Sequence, residues 1–275
     1  MRSTARVGGT AHKRAVEYAQ RAGKQRIALG SVAFRMMLQA WGCTPAREGL
    51  AEVDALLREY ERTSIEPHLR YARALHLSYL GEDEAARREQ ALSQDLFRQF
   101  GNELHLSSAR MSSANTEIRA GNFEVAEAEA RRGVEGLERL GETGFLSSTL
   151  GQLADALYGQ GRWDEAEAVA QRTLELATAE DFDPHYHARA VLAKVRARRG
   201  EFAEAERLAR EAVAIVEPTD WHHQRGDAFA SLGEVLELAG RQADARTAYE
   251  QALTCFERKQ ALPEAQAMRA RLALL

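Results

Sequence analysis

Short apolar stripes follow one another along the chain, and glycines break them at regular intervals. Leu50, Val53, Leu56 and Leu57 make one stripe; Tyr71, Ala74, Leu77 and Leu80 make another. Side chains three and four residues apart share one face of an α-helix, which turns by about 100° per residue. Strict alternation of apolar and polar residues, the mark of a half-buried strand, appears nowhere. The pattern predicts helices over 11–22, 27–41, 67–80, 104–120, 123–140, 145–160, 163–177, 183–200, 202–216, 221–239, 242–256 and 263–275, with others starting at 45 and ending near 100. Pro45 and Pro184 suit first helical positions, where a missing N–H costs nothing. Residues 1–9 show no periodicity and are expected to form a flexible N-terminus, leaving 10–275 as one array.

The array repeats. Gly161-Arg162-Trp163-Asp164-Glu165-Ala166 has counterparts at Gly121-Asn122-Phe123-Glu124-Val125-Ala126 and at Gly200-Glu201-Phe202-Ala203-Glu204-Ala205. Looser copies begin at Gly81 and Gly240, and the five glycines lie 40, 40, 39 and 40 residues apart. A fixed period of this size marks a solenoid, in which each unit buries its apolar face against its neighbours. Seven residues before each glycine stands Ala74, Ala114, Ala154, Ala193 or Gly233; five residues after it stands Ala86, Ala126, Ala166, Ala205 or Ala245. Small side chains at both places let the helices of a hairpin approach closely. Phe123, Trp163 and Phe202, two residues past the glycine, are expected to plug the end of each pair. Hairpins are thus expected to turn near Gly42, Gly81, Gly121, Gly161, Gly200 and Gly240, the first of them degenerate, with a closing helix at about 263–275.

The small residue, turn glycine, aromatic and alanine of each unit resemble the tetratricopeptide repeat, with a longer period. Asp83 and Gln242 replace the aromatic in two units. The implied fold is all-α, a right-handed superhelical solenoid of antiparallel helix hairpins. A narrower resemblance rests on Trp41-Gly42-Cys43-Thr44-Pro45, on Leu140-Gly141-Glu142 and on Gln160-Gly161-Arg162. It extends to Ala193-Lys194-Val195 and to Asp220 followed by Glu234-Val235-Leu236. These segments are similar to the C-terminal repeat region of bacterial signalling proteins that carry a class III adenylate/guanylate cyclase domain and a P-loop ATPase. That likeness implies a regulatory, partner-sensing role beside upstream ATPase or cyclase domains. Similar repeats are also fused to bacterial transcriptional regulators, the alternative reading.

Charge alters the picture at one end. Residues 1–35 carry a balance of +7 and the remainder −11, within a net charge of −4. A basic end suits acidic protein surface or nucleic acid; without aromatic interleaving or a recognition-helix pattern, nucleic acid is not the expected partner. Cys43 and Cys255 belong to opposite ends of an extended array and are expected to stay reduced, in a cytoplasmic protein. No apolar run is long enough to span a membrane.

Candidate chemistry is sparse. Gly23-Lys24 lacks the remainder of a phosphate-binding loop, and no nucleophile elbow is present. His185, His187, His222 and His223 open two first helices beside Asp181, Asp183 and Asp220, and are expected to be exposed residues instead of metal ligands, since i and i+2 side chains diverge. Catalytic residues, cofactor and metal are all expected to be absent. The polar positions singled out are Arg70, Arg110 and Arg189, eleven residues before the turn glycine, and Glu117 and Arg196, four before it. On first helices these would line a concave groove, where arginine forks suit carboxylates or phosphates. The competing reading is pairing with neighbouring repeats. The expected function is a non-catalytic scaffold that grips a protein or peptide on its concave face, and the apolar C-terminus, Arg271 to Leu275, offers either a capping helix or a homodimer contact.

Overall fold

The structure, a computed structural model, describes residues 5–275. Among them are fourteen helices and no strand. Helix α1 (Ala5–Arg21) precedes an irregular hairpin of α2 (Gln25–Trp41) and α3 (Ala46–Glu59). Regular hairpins follow: α4 (Glu66–Tyr79) with α5 (Asp83–Gln99), α6 (Glu103–Arg119) with α7 (Phe123–Leu140), and α8 (Gly144–Gly159) with α9 (Trp163–Leu176). Then come α10 (Phe182–Arg198) with α11 (Phe202–Val216), α12 (His222–Leu238) with α13 (Gln242–Lys259), and a last helix, α14 (Leu262–Leu274). The segment expected to be flexible is helical from Ala5 onward; its first four residues lie outside the described ones.

Each regular turn uses the same device. Gly81, Gly121, Gly161, Gly200 and Gly240 all have φ between 75° and 80°, the left-handed region open to glycine. The N–H after the glycine reaches back to the carbonyl five residues earlier, as in Arg162 to Leu157 at 3.0 Å and Asn122 to Glu117 at 2.8 Å. The glycine N–H closes the shorter loop, Gly161 to Tyr158 at 2.9 Å. This Schellman geometry satisfies the end of the first helix and aims the chain directly into the second.

The small residues meet where the period placed them. Ala74, Ala114, Ala154 and Ala193, and the five alanines from Ala86 to Ala245, are all fully buried. At Gly233 an added Cβ would come within 2.5 Å of the Tyr249 ring on the partner helix. Ala166→Leu would overpack such a contact and is expected to cost about 1–3 kcal/mol, seen as a lower melting temperature with an unchanged helical spectrum. Identical melting curves would mean that this contact is loose. The aromatics behave differently from expectation: Trp163 and Phe202 remain more than a third exposed. Phe123 instead covers Gly159 on the next first helix, where a Cβ would collide with its ring.

Consecutive first helices α4, α6, α8, α10 and α12 pack side by side, and each also meets the second helices before and after it. They are therefore buried around most of their circumference, while second helices keep one solvated face. The array also bends round until its ends meet. One apolar core joins Val32, Met36, Leu69 and Tyr79 to Phe229, Cys255, Phe256 and Ala265. The Lys259 ammonium, fully buried on α13, donates to the carbonyls of Ala40 at 2.6 Å, Gly42 at 2.8 Å, Thr44 at 3.0 Å and Gln39 at 3.3 Å. Gln260 accepts from the Arg47 N–H at 2.9 Å. The premise that sequence-distant repeats stay apart thus fails here, although both cysteines are free thiols. Helix α14 seals the C-terminal end, packing Met268, Leu272 and Leu275 on the core and leaving Leu274 exposed.

Candidate functional site

Two adjoining cavities lie along the first helices. The larger, about 630 Å³, is lined by Phe34, Met37, Leu38 and Trp41 of α2, Met111 of α6 and Phe145 of α8, together with Phe182 and Trp221. The other, about 340 Å³, has a polar wall that includes Asn115, Asp155, Lys194, Asp227 and Glu234, and α14 closes it with Glu264 and Met268. Trp41, Gln152 and Asp183 border both, so an aromatic half and a charged half adjoin along one channel wall.

In the charged half the carboxylates are mostly paired. Asp155 accepts from the Lys194 ammonium at 2.9 Å and meets His187 Nε2 on its other oxygen. Burial opposes ionisation of Asp155, but Lys194 and His187 outweigh it and hold the carboxyl well below the usual range. Burial likewise works against charge on His187, and Asp155 overrides it, so the imidazole titrates above its ordinary value. A second network crosses the closure. Glu264 on α14 accepts from Arg119 Nε at 2.7 Å and lies 2.8 Å from His223 Nε2, while His223 Nδ1 faces Asp227 at 3.1 Å. Arg119 also donates to Ser78 Oγ at 3.1 Å and stacks over the Tyr79 ring. His187 and His223, expected to be exposed, are in fact buried in this wall: each opens a helix whose start faces inward.

Asp183 differs from these carboxylates. It makes no direct ion pair among the described residues, and the charge it faces is that of His187. Burial pushes its carboxyl up to about 6, against the His187 charge and a Ser148 hydrogen bond. Three further atoms on the channel wall are buried without a hydrogen-bond partner, the Trp221 indole N–H, Gln224 Oε1 and Glu264 Oε2, one donor and two acceptors. No group of three or more His, Cys, Asp or Glu among the described residues is placed to hold a metal ion.

The five polar residues picked out in the sequence take other positions. Arg70 pairs with Glu89 on α5 at 3.0 Å and Arg110 with Glu129 on α7 at 2.6 Å, while Arg189 meets Glu211 on α11 at 3.4 Å. Glu117 accepts a fork from Arg87 on α5, and Arg196 reaches Glu167 on α9. All five tie a first helix to a second helix, and none borders either cavity. The channel is served instead by residues six before the turn glycine (Asn115, Asp155, Lys194, Glu234), and by His187 and Asp227, thirteen before it. Two residues along a helix rotate a side chain by about 200°, so positions four and six before the glycine face opposite ways. The missed signal was a polar residue directly after the buried small one in four successive units.

Residues 145–217 and, overlapping them, 186–258 match the tetratricopeptide repeat family. No curated protein matches the sequence. Among solved structures, the Rap protein complexed with Competence and Sporulation Factor is similar over 98% of this chain and 80% of its own, with a TM-score of 0.70 and 16% identity. NprR in complex with its cognate peptide NprX is similar over 97% and 82%, with a TM-score of 0.68 and 11% identity. A Signal Transduction ATPase with Numerous Domains from Pyrococcus horikoshii, which has a tetratricopeptide repeat sensor, is similar over 97% of this chain at a TM-score of 0.61 and 14% identity. This chain spans 43% of that protein. At such identities the likeness is one of fold. The superhelical solenoid of repeats expected from the sequence is the fold of the protein.

Proposed function

We propose that this chain is a non-catalytic regulatory module that holds a short peptide inside the channel formed by its first helices. The observation that carries this reading is the channel wall itself, an aromatic half adjoining a charged half, with an unmatched donor and unmatched acceptors on it. A peptide backbone offers both matching groups at every residue, and apolar side chains suit Met37, Met111 and Phe145. Two proteins of similar fold, Rap and NprR, are complexed with Competence and Sporulation Factor and with a cognate peptide respectively, and the second supports a peptide as the occupant. The repeat sensor of the P. horikoshii ATPase supports a setting in which occupancy is relayed to a signalling ATPase or cyclase domain. No helix among the described residues is long and apolar enough to cross a membrane.

The test uses the whole chain and a pool of N-acetylated, C-amidated hexapeptides of mixed apolar and polar sequence. After size-exclusion separation, mass spectrometry of the protein peak is expected to show a retained subset with wild type. Met111→Trp, which fills the aromatic half, should lose that subset while melting like wild type. Equal retention by both proteins, or none by wild type, would remove the reading.

A further inference from the structure

The edge of the array on which one hairpin hands over to the next carries opposite charges at its two ends. We infer that two copies of this chain pair along that edge about a twofold axis, the basic end of each lying over the acidic end of the other and the Phe100 rings meeting at the centre.

Hairpin topology places the connections 22–24, 60–65, 100–102, 141–143 and 177–181 on one edge, a repeat apart. The next, 217–221, is covered by the closure, where Asp220 meets the Cys43 thiol. At the first connection Arg21, Lys24 and Arg26 are exposed and make no ion pair among the described residues, and Lys13 and Arg14 extend the charge along α1. Helix α1 packs on α2, which leaves its far side uncovered. At the fifth connection Glu175 and Glu180 are exposed and equally unpaired, Asp181 caps α10, and the neighbouring Arg172 is taken by Glu138. The second and fourth connections carry both signs, Arg58, Glu59, Glu61 and Arg62 on one and Arg139 and Glu142 on the other. At the middle one Arg98 pairs with Asp95, Glu103 sits at the start of α6, where the helix dipole favours its charge, and Phe100 is 52% exposed. Three more large apolar side chains stand beside these connections, Tyr18, Ile27 and Leu140, each about half exposed or more. The opposite edge, at the glycine turns, is different. Its arginines are matched within the chain, Arg162 by Glu165, Arg199 by Asp164 and Arg241 by Asp244.

Five evenly spaced connections have a middle one. A twofold axis through 100–102 brings 22–24 onto the partner's 177–181 and 60–65 onto its 141–143, and every contact then occurs twice. A superhelical edge rises steadily along its length, and a twofold axis across it carries that rise onto itself, so the two edges stay in step. The outer pairs set Arg21, Lys24 and Arg26 against Glu175 and Glu180, the inner pairs are mixtures of both signs, and the axis carries an aromatic pair. Laid side by side in the same direction, the edges would put like charge on like. An anionic membrane or an acidic protein would be drawn to the basic end and repelled by Glu175 and Glu180 further along the same edge, whereas a second copy complements both ends at once. The connections together supply roughly the 20–30 residues a side of a stable interface.

Light scattering on the whole chain is expected to give twice the 30.5 kDa chain mass at about 50 μM protein and about 0.05 M salt, and to fall toward the single mass at about 0.5 M, where exposed charges are screened. Reversing the basic end (Arg21→Glu, Lys24→Glu and Arg26→Glu together) or the acidic end (Glu175→Lys with Glu180→Lys) should weaken the dimer about tenfold or more. These side chains are exposed and unpaired, so both variants should melt like wild type. Mixing the two variants should restore a dimer, because each then offers the other's complement at both ends. Phe100→Asp should give a monomer with an unchanged melting temperature, since the ring is exposed in the single chain. Wild type that stays monomeric at low salt overturns the proposal, including when it sediments instead with vesicles of anionic lipid, which would give the basic end to a membrane surface. A dimer indifferent to salt and to both reversals overturns the assignment to this edge. A mixture of the two variants that stays monomeric overturns the twofold pairing of its ends.

Discussion

Lys259→Met will unlatch the first helices from the last, at a cost of about 3–5 kcal/mol, from several buried carbonyls each losing a donor at about 1–3 kcal/mol. Among the described residues the ammonium is the donor that reaches the carbonyls of Gln39, Ala40, Gly42 and Thr44, where α2 ends and its own ladder runs out. Its positive charge also suits the negative end of that helix. Methionine keeps the length of the side chain but none of the hydrogen bonds. Because the array is modular, the loss should be local. Amide hydrogen exchange is expected to accelerate over residues 25–59 while 145–217 stay protected. Uniform acceleration, or none, would show that the latch carries no special weight. Burial pulls the Lys259 pKa down to about 7, and the nearby Arg119 charge adds to the effect. An unfolded lysine titrates near 10.4. Between these values the unfolded chain binds more protons, so this group makes wild type more stable as pH rises from about 7 toward 10. That rise should be missing from the variant.

Acid will undo the same closure from the other side. Burial raises the Glu264 pKa, but the His223 hydrogen bond and the Arg119 charge overcome it and hold the carboxyl near 2. An unfolded glutamate titrates near 4.3. The stabilisation is therefore complete above about pH 4.3 and disappears as pH falls toward 2, a loss of about 3 kcal/mol. Glu264→Gln should be less stable than wild type at pH 7, because Arg119, whose side chain is 4% exposed, is left without its carboxylate; removing one partner of a buried pair costs about 3–5 kcal/mol. The gap should narrow as pH drops, since the variant has no proton to take up there. Urea unfolding at pH 7, 4 and 3 measures it. A gap of constant size would mean that Glu264 is not the titrating group.

The helices and turns were legible because local rules set them. A glycine with positive φ, a small residue seven positions earlier and an alanine five later each act within one hairpin, and the chain repeats them. Helix starts at Phe123, Trp163, Phe202 and Gln242 agree with expectation to the residue. The channel was harder to read, because its wall is assembled from one or two residues on each of several first helices. Rotation of those helices decided which polar position looked inward, and a choice two residues off turned Arg110 and Arg196 toward second helices. His187 and His223 were misplaced for a related reason: the helix start, exposed in an isolated hairpin, is covered once the neighbouring helices and α14 are in position. Closure itself left no local trace. Lys259 looks like any charge near a helix C-terminus until Ala40 and Gly42 are brought against it.

That meeting of residues 40 and 259 bears on synthesis. An open stack of repeats can settle unit by unit as it leaves the ribosome, each new hairpin docking on the one before. Here α2 and α3 wait for a docking face supplied by α13, more than two hundred residues later. Until that face emerges, Val32, Ala33 and Met36 have only part of their cover, so nascent chains stalled before residue 242 should be the species that engage chaperones.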